Sequence, residues 1–296
     1  MGKRKTATAA DIVIVLVMSL ICAVMLYPFL YSLAYSLSDS NRAMVERITV
    51  WPAGFTLNNY KVVFENSTIV QAFLITVLRT AAGVVYAGAI VALAAYAITK
   101  RQMPGNRLIA LFLIIPMYFT GGLLPTYIWT YKLELFNNPL VYILPYGFWA
   151  FNMLIVRTFF DTIPAALEES AKIDGASDFK VFLKIVLPLS MPVTATIAMF
   201  NGVWHWNAWF DAMLYVTDEK LYPLQYLLQK ILKESTLSQT LAAQGNLGAL
   251  GNGKTPTSPE SLKMTTLIIS TVPIVLIYPF LQKYFIKGFL VGAVKG

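Results

Sequence analysis

Six apolar stretches govern what this chain can fold into. Ile12–Leu37, Ile69–Ile98, Leu108–Trp129, Pro139–Phe159, Val186–Val216 and Lys263–Phe280 all reach or exceed the roughly 17–25 residues of a membrane-spanning helix. In hydrocarbon every backbone N–H and C=O must be satisfied inside the protein, so such stretches fold as helices. The expectation is an all-α integral membrane protein with six transmembrane helices, in one domain over residues 1–296. Composition agrees: 57% of residues are hydrophobic and only 13% charged, about half the charged share of soluble domains. Lys3, Arg4 and Lys5 resemble the basic start of a signal peptide. The apolar run behind them outlasts the ~7–15 residues of a signal core and reads as a retained first span.

Six spans place both termini on one side. The segments on that side carry Lys3, Arg4, Lys5; Lys100, Arg101, Arg107; Arg157, Lys172, Lys180, Lys184; and Lys283, Lys287, Lys295. Basic residues mark cytoplasmic flanks, so both termini are expected in the cytoplasm of a bacterial cell membrane. The +8 net charge is thereby read as topology, with lipid as the partner and no nucleic acid.

On the cytoplasmic side a polar island, 161–187, separates two apolar runs. Pro164 suits a first helical turn, where its missing N–H costs nothing. Glu168 and Glu169 favour the positive end of that helix. Asp174-Gly175 then stops it, since glycine accepts the left-handed conformation of a helix end. Ser177 and Asp178 are good starters for the next helix, and Pro188 and Pro192 disturb the apolar segment that follows.

Glu169-Ser170-Ala171, three residues, Gly175, nine residues, then Ile185, Leu187 and Pro188 closely resemble the EAA loop of ABC-importer permeases. The one departure is Ser170 where the family pattern has alanine. The resemblance extends through Phe119-Thr120-Gly121-Gly122-Leu123-Leu124-Pro125, Arg157-Thr158-Phe159-Phe160, Trp206-Asn207, Leu221-Tyr222-Pro223-Leu224-Gln225 and the ending Lys287-Gly288 through Gly296. These are similar to the carbohydrate (maltose and oligosaccharide) group, and within it to the LplC-type subgroup, whose members are associated with oligosaccharides or polysaccharide fragments.

The resemblance implies a type I importer (MetI-like) permease fold. It implies half of a sugar path, completed by a second homologous permease, two ATPase subunits and an extracytoplasmic solute-binding protein. Leu167, Glu168, Glu169, Ala171, Asp174 and Gly175 would then form the ATPase-coupling helix. Leu167 and Ala171, four residues apart, would be its apolar knob.

The residues themselves offer little chemistry. His205 is the sole histidine, and no second motif supports a catalytic triad, so no catalytic residue is assigned. One cysteine, Cys22, excludes an internal disulfide, and no Cys/His cluster suggests a metal site. The resemblance implies that ATP and Mg are bound by a partner ATPase.

Asn201, Trp204 and Asn207 are polar or aromatic groups within span five. Intramembrane polar groups usually face a cavity or protein interior, and Trp/Asn sets suit sugars, so these three are candidates for the substrate path. An interfacial tryptophan belt is the alternative. Arg79, a charge inside span two, either pairs within the protein or meets substrate. Gly121-Gly122 and Pro125 serve either as a hinge or for packing.

The outer loop 217–262 is long. Its Leu221–Leu232 segment could form a short amphipathic helix, and Gly245, Gly248 and Gly251 make a tip. That tip either contacts the binding protein or acts as a spacer. Rival readings are an importer for a different small solute, a secondary transporter, which usually shows internal repeats, and an intramembrane enzyme.

Overall fold

The structure, a computed structural model, describes residues 9–243 and 258–293. Lys3, Arg4, Lys5, Lys295 and the glycine tip at Gly245, Gly248 and Gly251 lie outside the described residues. In chain order the helices are α1 (Ala9–Ser36), α2 (Ser40–Val45), α3 (Asn58–Glu65), α4 (Ser67–Thr99), α5 (Asn106–Tyr118), α6 (Leu123–Lys132) and α7 (Ala150–Phe160). There follow α8 (Ala165–Ile173), α9 (Asp178–Val181), α10 (Leu187–Leu189), α11 (Met191–Asn207), α12 (Phe210–Tyr215), α13 (Leu224–Ala243) and α14 (Pro259–Ala293).

Three stretches, within α1, α4 and the first part of α14, are long and apolar enough to cross a membrane as they stand. Three bent pairs bring the number of spans to six if each pair counts as one. The sequence reading drew these three as continuous helices, and the structure breaks each of them. α5 and α6 meet at 115° across Phe119–Gly122. Short 3-10 turns from Pro139 to Tyr146 meet α7 at 53°. The segment Asp178–Leu189 meets α11 at 82°. Prolines and glycines sit at every break: Pro116 with Gly121-Gly122, Pro145 with Gly147, and Pro188 with Pro192. They remove backbone donors or offer no side chain to hold the turn. Between α9 and α10 the residues Phe182–Val186 form a π-helix, a local widening found mostly as a single turn and often at functional places.

The chain divides into two compact units, Met1–Val70 with Lys230–Val272, and Gln71–Gln229 with Pro273–Gly296. In the first, the end of α1 is tied to the following loop by polar contacts. The buried Asn59 amide donates to the carbonyls of Ser36 at 2.9 Å and Ser38 at 2.8 Å and accepts from Ser40 Oγ at 3.0 Å. Asp39 caps α2 through the N–H groups of Asn41 and Arg42. A small core of Ala34, Tyr35, Ala43 and Ile48 packs beside them.

The second unit holds the main core. Val91, Ala95, Tyr96 and Ile98 of α4 pack with Met153, Val156 and Phe160 of α7, with Val181, Phe182 and Val186, and with Val193 and Ile197 of α11. A second cluster joins Val141 and Tyr142 to Ala212, Tyr215 and Val216 around α12. The start of the 217–262 loop is anchored in this unit. The Asn137 side chain accepts from the N–H groups of Thr217 at 2.7 Å and Asp218 at 3.0 Å, and Thr76 Oγ1 accepts from Leu224 N–H at 2.8 Å. α13 starts three residues later than the predicted Leu221 and runs on to Ala243. Beyond Leu232 the chain has neither proline nor glycine until Gly245, so nothing local stops the helix.

Candidate functional site

The polar island folds as the sequence pattern dictates, one residue displaced at its start. Pro164 occupies the cap position, and α8 begins at Ala165. Its end is a Schellman motif: Ala176 N–H donates to Ala171 O at 2.9 Å and Gly175 N–H to Lys172 O at 3.0 Å. Gly175 has φ +78°, a conformation open to glycine because it lacks Cβ. Ser177 caps α9, and Lys172 reaches Asp178 at 2.8 Å across the turn. That hydrogen bond raises the Lys172 ammonium above the ordinary lysine range, because the contact favours its charged form.

The faces of α8 differ from the predicted knob. Ala171 turns inward and packs on the main core with Ile163 and Ala176. Glu168 also turns inward, in an ion pair with Lys100, whose ammonium sits 4.1 Å above the Tyr96 ring. Leu167, Glu169, Ser170, Ile173, Asp174 and Gly175 are exposed. Ile173 is 87% exposed, so the apolar projections of this helix are Leu167 and Ile173. A helical wheel centred on Leu167 puts Ala171 about 40° away and Ile173 about 120° away, so it selects Ala171, and only the packing beneath reverses that choice.

Arg79 is buried inside the unit. Its guanidinium donates to Asp211 at 2.5 Å and 3.3 Å and to Ala208 O at 3.2 Å, and it lies 4.3 Å over the Tyr142 ring. Of the two sequence alternatives for this residue, the geometry has it paired within the protein. Opposite charges in spans two and five were the signal for that pairing.

The span-five candidates divide. Asn201 and Trp204 come together with residues the sequence reading passed over. Asn152 Nδ2 of α7 donates to Asn201 Oδ1 at 3.1 Å. Trp204 packs against Tyr146 with ring centres 4.5 Å apart and edge-on against Trp149 at 5.5 Å. The aromatic run Tyr146-Gly147-Phe148-Trp149 ahead of a helical asparagine was the available signal. Asn207 stands apart at the end of α11, exposed, where it donates to Val203 O at 2.9 Å and accepts from Gln225 at 3.3 Å. Behind this face His205 is fully buried against α4, where Gly83 gives it room: a Cβ there would lie 2.3 Å from Nε2.

A family model described as binding-protein-dependent transport system inner membrane component matches residues 3–291. The chain belongs to that family. It is a multi-pass membrane permease subunit with the all-helical, MetI-like fold of these importers. The chain is 36% identical over 281 residues to the polygalacturonan/rhamnogalacturonan transport system permease YtcP of Bacillus subtilis, covering 95% of each chain. It is 36% identical over 296 residues to LplC of the same organism, covering 100% of this chain and 98% of that one. Among solved structures it matches a chain of a bacterial ABC transporter that imports the acidic polysaccharide alginate. The TM-score is 0.84 at 27% identity, with 95% of this chain and 99% of the other covered.

Proposed function

We propose that this permease is one half of the translocation path of an ATP-driven importer for oligosaccharides or polysaccharide fragments. The other half is a second, homologous permease. Two ATPase subunits bind ATP and Mg and dock on α8 from the cytoplasm, where both termini also lie. An extracytoplasmic binding protein delivers the sugar, with the 217–262 loop and its tip at Gly245, Gly248 and Gly251 as the contact on this chain. The relatives named for galacturonan and alginate support a saccharide as cargo. Asn201 and Trp204 supply the amide and aromatic groups that a sugar needs.

The observation that carries the reading is the geometry of α8. It is a short helix held from beneath by the core and by Glu168, and stopped by a glycine at φ +78°. It leaves Leu167, Glu169 and Ile173 exposed. Such a helix has an apolar face and a carboxylate available to a partner, and a fixed link to the spans. The test uses the assembled transporter in liposomes. Glu169→Lys and Gly175→Val should abolish uptake while the chain still inserts and basal ATP hydrolysis persists. Gly175→Val acts through backbone strain alone, since no atom lies within 4 Å of where its Cβ would stand. Normal uptake by both variants refutes the coupling role. In the same membranes, deletion of 245–253 should weaken stimulation by the loaded binding protein, and unchanged stimulation would make that segment a spacer.

A further inference from the structure

The polar island exposes two surfaces of opposite charge. On α8 the exposed carboxylates Glu169 and Asp174 face outward. On the segment Asp178–Leu189 the exposed groups include Lys180 and Lys184, side by side with Phe179 and Leu183. We propose that Phe179, Lys180, Leu183 and Lys184 form a seat for an anionic phospholipid of the inner leaflet. The two ammonium groups meet its headgroup, and the two apolar side chains lie against its acyl chains. The proposal rests on the cytoplasmic placement of the island and adds a partner that the transport reading does not include.

The segment meets α11 at 82°. Since α11 crosses the bilayer, a segment at nearly a right angle to it runs along the membrane surface. Its underside is fixed, because Val181, Phe182 and Val186 belong to the main core. Residues four apart share a helix face, so Phe179 pairs with Leu183 and Lys180 with Lys184. Both rows lie on the outside: Phe179 is 61% and Leu183 44% exposed, and both lysines are exposed. The buried Phe182 ring, its centre 6.4 Å from that of Phe179, supports the apolar row from beneath. An apolar row beside a basic row on one in-plane helix is the pattern of segments that rest at the boundary between headgroups and acyl chains.

Charge decides which occupant fits. Asp178, the carboxylate of this segment, is held by Lys172 at 2.8 Å. Among the described residues neither Lys180 nor Lys184 makes an ion pair. Two cations are therefore left without a counter-ion. Lysine stems cover apolar surface while their ammonium groups reach outward, and Cβ atoms four residues apart on a helix stand about 5–6 Å from each other. Both ammonium groups can thus meet one phosphate, and the acidic lipids of a cytoplasmic leaflet attract lysines placed this way. The ATPase is the other candidate occupant. A surface complementary to Glu169 and Asp174 is basic, and a basic surface repels Lys180 and Lys184.

The test uses the complete transporter, both permeases with their ATPases, in an uncharged detergent. It is titrated with phosphatidylglycerol or with phosphatidylcholine, and native mass spectrometry counts the bound lipid. Lys180→Gln with Lys184→Gln should weaken one phosphatidylglycerol site about thirtyfold, the factor for two lysines at about 1 kcal/mol each. Lys180→Arg with Lys184→Arg should keep that site. Phe179→Ser should weaken both lipids alike, by about tenfold. A wild type without preference for phosphatidylglycerol overturns the seat, as does a glutamine pair that binds it normally or loses both lipids equally. Loss of the ATPase subunits from the glutamine pair overturns it too, and makes this surface an ATPase contact. Lipid binding unmoved by Phe179→Ser overturns the acyl contact. Topology is checked separately. Lys180→Cys, in a chain carrying Cys22→Ser, should react with a membrane-impermeant maleimide in inverted vesicles and not in intact cells. The reverse pattern overturns the cytoplasmic placement itself, whatever the lipid result.

Discussion

Two ion pairs hold α4, and they differ in almost every physical respect. Arg79 and Asp211, with side chains 1% and 2% exposed, join the middle of α4 to the corner between α11 and α12. Lys100 and Glu168, 26% and 22% exposed, join the end of α4 to α8. Twenty-one residues separate the two cations, roughly 30 Å at 1.5 Å per residue. The buried pair is desolvated and fixed by further contacts with Ala208 O and the Tyr142 ring. The half-exposed pair keeps water within reach and competes with it. One helix is thus fastened firmly at the α11–α12 corner and loosely at α8.

The largest effect should come from breaking the buried pair. Arg79→Ala leaves the Asp211 carboxylate without a counter-charge, and removing one partner of a buried pair costs about 3–5 kcal/mol. The yield of folded protein in detergent should collapse. The double variant Arg79→Met with Asp211→Leu removes both charges and keeps apolar bulk, and should recover much of the loss. Thermal unfolding of the purified variants measures both. A double variant no better than Arg79→Ala would show that the contacts to Ala208 and Tyr142, and not the charge pair, hold this corner.

The next effect sharpens the comparison a turn further along α4. An alanine at 83 would place its Cβ 2.3 Å from His205 Nε2 and 2.5 Å from Cε1. The buried imidazole must move, and overpacking of this kind typically costs about 1–3 kcal/mol. Truncating the ring as well should relieve the clash, because contacting residues couple. Gly83→Ala with His205→Ala should therefore unfold at a higher temperature than Gly83→Ala alone. The reverse order would mean that the imidazole supports this corner more than it crowds it.

The sequence made some of this legible and hid the rest for identifiable reasons. Apolar length alone located six spans, because lipid leaves the backbone few choices. The stop at Asp174-Gly175 was readable because a left-handed residue has a residue signature, and the structure has it as a Schellman turn. The breaks at Phe119–Gly122 and Ser190 were signalled by proline and glycine, but how far each helix bends depends on what packs against it. The orientation of α8 was hidden for the same reason: Ala171 and Ile173 are both apolar, and only the core beneath places one inside and the other out. Tyr146, Trp149 and Asn152 were missed because they come from span four, and a constellation shared by two spans has no spacing within one.

The smallest effect tests the loose end. Glu168→Gln removes the carboxylate charge and keeps the side chain's shape, and partly exposed pairs are worth about 0–1 kcal/mol. Lys100→Met keeps the stem but loses both the ion pair and the contact 4.1 Å above Tyr96, which at a partly exposed site adds about 0.5–1 kcal/mol. Lys100→Met should therefore unfold at a slightly lower temperature than Glu168→Gln, and both well above Arg79→Ala. Raising the ionic strength to about 1 M shortens the screening length to about 3 Å, so it should narrow the gap between wild type and Glu168→Gln. It should leave the Arg79→Ala defect untouched, since no ion reaches that pair. A Glu168→Gln variant as unstable as Arg79→Ala, or a gap indifferent to salt, would mean that α8 is fastened to α4 as firmly as the α11–α12 corner is.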